Sequence, residues 1–411
     1  MSDATSLRTA LTETATYREI LQQPEVWRET ARILHGRRAA LDAFLAPLLA
    51  RENLRIVLTG AGTSAFVGQI AAPSLGVRLG RRVDAVATTD LVSHPGAYLA
   101  QDVPTLLVSF ARSGDSPESA AATRLADRLL GDVSHLIVTC NADGALHQAH
   151  VARPDSFVIL MPERSNDEGF AMTSSFTTML LAVLLAFRGE DQDGQASAAQ
   201  DDASQEVLVD ALARGAEQLL AQEQRIAALA ETVPHRVVYL GGGPLAGLAR
   251  EAALKLLELT AGRVVAYFDS SLGFRHGPKA VLDADSIAVV YRSADPYSNA
   301  YDEDIVAELR SSLGTDRVLT VSATHPSAAA APSTDFLLKG LETLEDSYLA
   351  VAYIVFAQLF ALHCSAALDL TPDNPFPDGN VNRVVKGVTI HPLTESPTPV
   401  RAVARLAERR P

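Results

Sequence analysis

The sequence predicts an α/β protein with two doubly wound parallel-sheet domains and a helical N-terminal lead-in. The first observation is its length, because 411 residues exceed the roughly 250–300 at which a single hydrophobic core stops growing. The second is that short apolar runs alternate with helical patterns, as in parallel sheets covered by helices. The third is that this alternation starts again after residues 188–208, which are acidic, polar and poor in aromatic side chains.

These observations divide the chain into five segments. We expect an N-terminal helical segment over 1–50, a first domain over 51–187, an acidic linker and helix over 188–234, a second domain over 235–370 and a C-terminal tail over 371–411. In the lead-in, Ile20, Val26, Trp27 and Ile33 recur at a helical period, which is interrupted near Pro24.

Strand-like runs define each domain. In the first domain they are 54–59, Val83–Ala87, Thr105–Phe110, Leu136–Thr139 and Phe157–Leu160. After a helix predicted at Leu208–Glu231, those of the second domain are 236–240, Ile287–Tyr291, Arg317–Val321 and Phe336–Leu338. A strand, a Gly turn and an Ala-rich helix recur about 180 residues apart, which indicates an internal duplication. The tail from Thr371 predicts an irregular loop followed by a short strand at 384–390.

Composition excludes several classes of protein. The net charge is −14, whereas binding to duplex nucleic acid requires a basic surface. Cys140 and Cys364 are too few for a disulfide framework and suit a reducing cytosol. The apolar runs Tyr348–Leu362 and Met179–Phe187 are shorter than the roughly 20 residues of a membrane span and predict buried helices. We therefore expect a soluble cytoplasmic protein that binds neither nucleic acid nor membrane.

The first candidate site is the turn Gly60–Ser64, which follows a strand and opens a helix. Glycines such as Gly62 let backbone N–H groups approach a ligand, and a helix N-terminus favours an anion. Thr63 and Ser64 add hydroxyl donors. The alternative is an ordinary strand–helix turn in which a hydroxyl caps the helix.

A dinucleotide site is a rival interpretation of the same turn. Gly60, Gly62 and Ala65 fit the relaxed fingerprint, and Asp84 lies near the distance of a ribose-binding acid. However, Asp84 could equally face solvent on an edge strand, and a second turn argues for a single phosphate instead.

That second turn runs through Ser109–Glu118 and again lies between a strand and a helix. It offers the cation Arg112 and the hydroxyls of Ser113 and Ser116. Two hydroxyl-rich turns at the carboxyl ends of strands in one sheet favour a phosphate pocket. An exposed capping loop would also fit, since Pro117 stands at the first turn of a predicted helix.

Three further segments carry ionisable side chains. Lys255 and Glu258 share a helix face, a spacing that most often means a surface ion pair. His276 lies in a loop between Arg275 and a Gly-Pro pair, and an imidazole in a loop suits proton transfer. Lys386 is flanked by apolar residues and would ordinarily be a strand-end lysine reaching solvent.

No motif shows good metal-ligand spacing, and no cofactor is expected. His147 and His150 are three residues apart, but most such pairs are solvated helix residues.

With these motifs, the chain resembles the tandem sugar-isomerase (SIS) proteins, whose domains are flavodoxin-like. It is most similar to the AgaS family of galactosamine-6-phosphate deaminase/isomerases. The motifs are TGAGTSAFVG, SFARSGDSPES, EGFAMTSSFTTM, ALKLLELTAG, YFDSSLGFRHGPKA and NRVVKGVTI, in order along nearly the whole chain. The resemblance extends to the isomerase half of glucosamine-6-phosphate synthase.

That resemblance implies specific roles. It places the catalytic glutamate on Glu258, the assisting lysine on Lys255, the ring-opening histidine on His276 and the carbonyl-handling lysine on Lys386. The same resemblance assigns substrate phosphate to Gly62, Thr63, Ser64, Arg112, Ser113 and Ser116, without metal. It also implies a homodimer or larger homo-oligomer with shared active sites, because the histidine loop of related proteins reaches into a neighbouring subunit.

The resemblance implies conversion of D-galactosamine 6-phosphate to D-tagatose 6-phosphate and ammonia. The synthase has Ser-Gln-Ser where this chain has Ala111-Arg112-Ser113, and the chain shows no glutaminase domain, which favours ammonia release over synthesis. The alternatives are an aldose/ketose phosphosugar isomerase without deamination, a glucosamine-6-phosphate deaminase, a nicotinamide enzyme and a non-catalytic sugar-phosphate sensor. A sensor would be expected to lack Glu258 and His276 or to carry a DNA-binding helix pair.

Overall fold

The computed structural model describes residues 11–187, 198–325, 333–385 and 387–393. The lead-in is helical as predicted and forms α1 (Ala15–Leu21), α2 (Gln23–Gly36) and α3 (Arg38–Leu49). The helical conformation is interrupted between α1 and α2 just before Pro24, which occupies the first turn of α2. Val26 and Trp27 are fully buried, whereas the apolar stripe continues through Leu34 rather than the half-buried Ile33.

The first half contains a parallel sheet with the strand order β2-β1-β3-β4-β5. Its strands are β1 (Arg55–Thr59), β2 (Val83–Ala85), β3 (Thr105–Ala111), β4 (Val133–Thr139) and β5 (Ser156–Leu160). Its helices are α4 (Thr63–Arg78), α5 (Thr88–Ser93), α6 (Pro95–Tyr98), α7 (Pro117–Leu129), α8 (Ala145–His150) and α9 (Ser174–Ala186). Ile56 and Leu58 face one apolar cluster and Val57 another, so β1 is apolar on both sides of a sheet covered by helices.

The second half repeats this topology. Its strands are β6 (Arg236–Leu240), β7 (Val265–Asp269), β8 (Ile287–Tyr291), β9 (Val318–Ser322) and β10 (Asp335–Leu337), in the order β7-β6-β8-β9-β10. Its helices are α12 (Pro244–Leu259), α13 (Pro296–Leu313) and α14 (Asp346–Ala367). The first glycine turns also correspond, because Gly62 (φ 56°, ψ −129°) and Gly243 (φ 53°, ψ −126°) have almost the same conformation. The predicted fold class is confirmed, and the shared strand order supports the predicted duplication.

Two helices join the halves, α10 (Ala198–Leu220) and α11 (Glu223–Ala230). This helix was predicted to begin at Leu208, but α10 begins at Ala198. The second part of the predicted linker 188–208 is therefore helical. Val209 and Leu212 are buried, since α10 packs against α2 and α14. The residues before them include the weak helix formers Asp201, Asp202 and Ser204, so packing of the helix rather than local preference extends it towards its N-terminus.

One apolar core runs through both halves. It includes Leu58 of β1, Tyr239 of β6 and most of α14. Helix α4 packs against α12, and α12 packs against α14. Because the halves share a core, the position of α12 relative to the first sheet is set by tight packing.

Helix α14 is long and apolar enough to cross a membrane by length and composition, so the length argument made from residues 348–362 does not hold. Burial explains its composition, because 89% of its most apolar stretch lies inside the protein. The predicted buried helix is confirmed, and it is the central helix of the shared core.

Two differences concern strands. Strand β7 was not predicted, because it lies at the edge of its sheet and exposes Val265 and Phe268 instead of forming a buried apolar run. The strand predicted at 384–390 is wrong for the described residues of that segment, which have no strand pairing. Arg383, just before it, bonds to the loop that precedes α9 rather than to a sheet.

Candidate active site

Two turns lie side by side at the carboxyl ends of β1 and β3, neighbouring strands at which the order of the first sheet reverses. In open α/β sheets this switch point is the usual position of a ligand. The first turn requires glycine at two places. A Cβ on Gly60 would lie 2.5 Å from the backbone of Ser64, and Gly62 has a backbone conformation that L-residues rarely adopt.

The second turn leads into α7 with Ser116 as the capping residue. The Ser116 hydroxyl accepts a hydrogen bond from the Ser119 backbone N–H and lies 2.6 Å from the Ser119 Oγ. The capping interpretation is therefore correct for Ser116. The Ser113 hydroxyl accepts only a long bond of 3.3 Å, from the Asp115 backbone N–H.

The two turns form one wall of a cavity of about 280 Å³, which we call the switch-point cavity. Seven of the ten predicted site residues line it: Gly62, Thr63, Ser64, Arg112, Ser113, Ser116 and Glu258. Glu258 comes from α12 of the second half, so the cavity lies where the two halves meet. Residues 381–385 of the C-terminal tail also line it.

The other three predicted site residues do not line this cavity. Lys255 lies beneath the wall and is fully buried. His276 follows a short helical turn of the second half and is exposed. Lys386 lies outside the described residues, directly after the tail segment that lines the cavity.

Lys255 links three side chains under the cavity. Its Nζ lies 2.6 Å from Glu258 Oε2, 3.1 Å from Thr63 Oγ1 and 3.3 Å from Glu251 Oε1. An ammonium has three donors, and each finds one of these acceptors. The alternative of a surface ion pair is wrong for Lys255, because both halves of the chain bury this side chain away from solvent. The geometry also gives Lys255 no direct contact with the cavity, contrary to the expectation that it would act on the sugar.

Glu251 was not predicted as a site residue. It is fully buried, and its Oε2 has no hydrogen-bond partner among the described residues. Burial raises the pKa of Glu251 to about 7, while Lys255 acts in the opposite direction. Burial lowers the pKa of Lys255, but the two nearby carboxylates outweigh burial and leave its pKa raised, so the lysine stays cationic. The signal was available, because Glu251 and Lys255 have helical i, i+4 spacing.

Arg112 adopts an unexpected orientation. Its guanidinium donates to three backbone carbonyls, those of Gly169 (3.4 Å), Phe170 (3.2 Å) and Arg383 (2.8 Å). It is 7% exposed and still borders the cavity. Burial lowers its pKa, and the nearby charge of Arg383 adds to this effect.

The tail is fastened at two points. Asp373 accepts hydrogen bonds from the backbone N–H groups of Ala15 and Thr16 at the start of α1, both 2.8 Å long. Arg383 donates to the carbonyls of Gly169 (3.2 Å) and Asp167. No sequence signal marked Arg383, because its partners are backbone groups remote in the chain.

The structure does not support Asp84 as the ribose-binding acid of a dinucleotide site. Asp84 lies on the edge strand β2, where it pairs with Arg55 (3.1 Å) and Arg82 (2.6 Å). Its carboxylate therefore has two cationic partners near the surface. Among the residues that the structure describes, no group of three or more His, Cys, Asp or Glu side chains could hold a metal ion.

Comparison with known proteins agrees with this architecture. The SIS domain model matches residues 48–188. The AgaS protein of Streptomyces coelicolor is 57% identical to this chain over 384 residues, which cover 92% of the chain and 96% of that relative. The chain belongs to the AgaS family. Another member, the D-galactosamine-6-phosphate deaminase AgaS of Escherichia coli, is 44% identical and spans 93% of this chain and 97% of its own.

A solved structure has the same fold as this AgaS-family chain. The crystal structure of tagatose-6-phosphate ketose/aldose isomerase from Escherichia coli superimposes with a TM-score of 0.83 at 41% identity. The match covers 94% of this chain and 98% of that one. Most of both halves of this AgaS-family chain is therefore within the compared region.

Proposed function

We propose that this protein is a deaminating isomerase that converts D-galactosamine 6-phosphate and water to D-tagatose 6-phosphate and ammonia. The observation that carries the proposal is the switch-point cavity, which is lined both by the two hydroxyl-rich turns of the first half and by Glu258 of the second. The names of the relatives support an amino-sugar phosphate as substrate. Two buried thiols, Cys140 and Cys364, support a cytoplasmic location.

The phosphate occupies the two turns, with hydroxyls and helix N-termini as donors. Ser64 and Ser113 supply the hydroxyls, because the Thr63 hydroxyl already donates to Glu251, and the N-termini of α4 and α7 favour the negative charge. The sugar carbons then extend towards α12, because Glu258 of that helix lines the same cavity.

Glu258 is the base for the proton transfer. After ring opening, its carboxylate removes the proton from C2 of the aldehyde form, and an enolamine forms as O1 gains a proton. The same carboxyl returns the proton to C1, which leaves an imine at C2. Water adds to the imine, and the C2–N bond breaks to release ammonia and the ketose. Lys255 holds the Glu258 carboxylate in place, since all three of its donors are engaged below the cavity.

Ring opening needs a further proton carrier, which we assign to His276 of a second copy of the chain. His276 is exposed and does not line the cavity of its own chain. Two exposed apolar side chains support contact with another copy: Leu257, next to Glu258, is 43% exposed, and Leu272, near His276, is 47% exposed. Lys386 would enter from the tail and orient the carbonyl.

The decisive assay measures ammonia and ketose 6-phosphate from galactosamine 6-phosphate, glucosamine 6-phosphate and their N-acetyl forms. We expect ammonia from galactosamine 6-phosphate, and a loss of about 10²–10⁴-fold in rate for Glu258→Gln. Glu231→Gln, which removes an exposed carboxylate far along the chain, is the control and should keep the wild-type rate. Absence of ammonia from every substrate would disprove deamination.

A ketose/aldose isomerase is the second candidate, because the matching crystal structure carries that name. It predicts interconversion of aldose and ketose phosphates without ammonia. Faster release from the gluco than from the galacto substrate would instead identify a glucosamine-6-phosphate deaminase.

The shared site is tested by mixing two inactive variants. In a dimer of Glu258→Gln with His276→Asn, one of the two sites would regain both wild-type residues. Random mixing should therefore restore about a quarter of the wild-type activity, with a dimeric mass by light scattering. If the mixture stays inactive although mixed dimers form, His276 does not act across the interface.

A further inference from the structure

The loop that binds phosphate and the C-terminal tail meet at one side chain, that of Arg112. Ser113 and Ser116 follow Arg112 in the second turn, and residues 381–385 of the tail form another part of the cavity wall. The Arg112 guanidinium reaches the Arg383 carbonyl at 2.8 Å. Arg112 therefore joins the anion-binding turn to the tail that precedes Lys386.

Arg112 and Arg383 bring two positive charges together, and neither has an ion-pair partner among the described residues. Each of their hydrogen bonds in the described part of the chain goes to a neutral backbone carbonyl. The nearby carboxylate of Asp167 is already engaged with the backbone N–H groups at the start of α9. The repulsion between the guanidiniums contributes to the lowered pKa of Arg112.

Donors also remain for a ligand. A guanidinium has five N–H groups, and Arg112 has three protein acceptors. Arg112 is almost fully buried yet borders the cavity, so an anion in the second turn would act on it with little screening by solvent.

We propose that Arg112 is a positioning residue that couples binding of the substrate's phosphate to docking of the tail segment 381–385, with Arg383 as its partner. This inference rests on the proposed function, in which that turn binds phosphate. An anion there reduces the repulsion between the two guanidiniums and favours the docked tail. By linkage, the docked tail favours the anion to the same extent. The phosphate end of the substrate thus helps to hold the tail segment 381–385 against the cavity.

Hydrogen exchange of the full-length protein tests this coupling, with inorganic phosphate as the probe. Peptides covering 376–390 should exchange about tenfold more slowly in saturating phosphate than without it, as expected for a coupling of ordinary size. Arg112→Gln and Arg383→Gln should each lose this difference. Arg124→Gln, which removes an exposed positive charge from the helix after the turn, should keep it.

Arg112→Lys separates charge from geometry. Lysine keeps the positive charge but cannot reach three carbonyls as a planar guanidinium does. We expect it to bind phosphate within a few-fold of wild type, yet to lose the protection of the tail and to lower kcat more than it raises KM. Retained protection in this variant would overturn the proposal.

The outcomes distinguish the coupling from the proposed reaction. If phosphate raises the melting temperature of the wild type but leaves exchange of 376–390 unchanged, the coupling is wrong and the reaction is unaffected. If phosphate protects the tail while no amino sugar releases ammonia, the coupling stands and the reaction is wrong. Because Arg383 is at the surface, its variant folds even where Arg112→Gln does not, and protection that survives in Arg383→Gln also counts against the coupling.

Discussion

Lys255 lies between two carboxylates, and its pull on Glu258 depends on the charge of the other, Glu251. The pKa of Glu251 is raised to about 7 by burial, so this carboxyl is protonated on the acid side of neutrality and ionised above it. When Glu251 is protonated, Lys255 pairs with Glu258 alone. When Glu251 is ionised, it competes with Glu258 for the lysine and adds a second negative charge beside it.

Glu251→Gln should therefore remove an inflection near pH 7 from the pH dependence of kcat. In the variant Lys255 pairs with Glu258 alone at every pH, so it keeps the low activity of the acid side, and we expect about tenfold less activity than wild type at pH 8. Steady-state rates between pH 5.5 and 9 would measure this. An unchanged inflection would show that another group controls it.

A second set of buried ionisable groups lies at the opposite end of the first sheet. The rings of His135 and His150 are 4.7 Å apart, and His150 Nδ1 bonds to Ser156 Oγ at 2.9 Å. Burial, followed by the proximity of His135, lowers the pKa of His150 to about 4. The folded protein therefore holds His150 neutral at a pH where the unfolded chain protonates it.

This difference predicts that stability falls as the pH falls from about 6.5, the pKa of an unperturbed histidine, towards 4. In that window the unfolded state binds the extra proton, so His150 contributes a slope of at most about 1.4 kcal/mol per pH unit. His150→Asn, which keeps a partner for Ser156, should lack this slope. Urea denaturation at pH 7, 6 and 5 would reveal it as a free-energy difference from wild type that changes with pH, whereas a constant difference would contradict it.

The glycine turns offer a matched pair of elements. Gly62 opens α4 and Gly243 opens α12 with nearly the same φ and ψ, and an added Cβ would meet no atom within 4 Å at either position. Alanine at either position therefore costs backbone strain alone, about 1–3 kcal/mol. Only the Gly62 turn borders the switch-point cavity.

Gly62→Ala and Gly243→Ala should thus lower the free energy of unfolding by similar amounts, but only Gly62→Ala should weaken phosphate binding. Urea denaturation and calorimetric titration with inorganic phosphate separate the two effects. Equal loss of phosphate affinity in both variants would mean that the first turn does not bind the anion directly.

The whole molecule is built from two copies of one topology, yet they differ at the switch point. The second half repeats the start of the turn, with Arg292 and Ser293 after β8. There the Ser293 hydroxyl donates to Asp346 Oδ2 at 2.7 Å, and the Ala294 N–H donates to Asp346 Oδ1 at 3.1 Å. A carboxylate of the chain therefore takes the donors that a phosphate would need.

We accordingly expect one phosphate to bind per chain, although the fold supplies two switch points. Calorimetric titration with inorganic phosphate should give a stoichiometry of one. Ser113→Ala should weaken this binding, while Ser293→Ala, its counterpart in the second half, should leave it unchanged. A second site of similar affinity would refute this asymmetry between the halves.

Much of this architecture follows from local patterns. The strands of the first sheet, β6 and β8–β10 follow from short apolar runs next to glycine turns and helical periods, which depend on nearby residues alone. The edge strand β7 lacks such a run, because half of its side chains meet solvent. The helical start of α10 and the irregular 384–390 segment were also missed, since packing and remote hydrogen bonds override weak local preferences there.

The candidate site likewise has features that local sequence predicts and features that only the tertiary structure determines. Its residue types and turns were visible in the chain itself, since each anion-binding turn is built by consecutive residues. The burial of Lys255, the involvement of Glu251 and the orientation of Arg112 depend on contacts between segments more than 50 residues apart. Charge and hydrogen bonding act through space, so a side chain's partners, and with them its role, arise only when the shared core brings the two halves and the tail together.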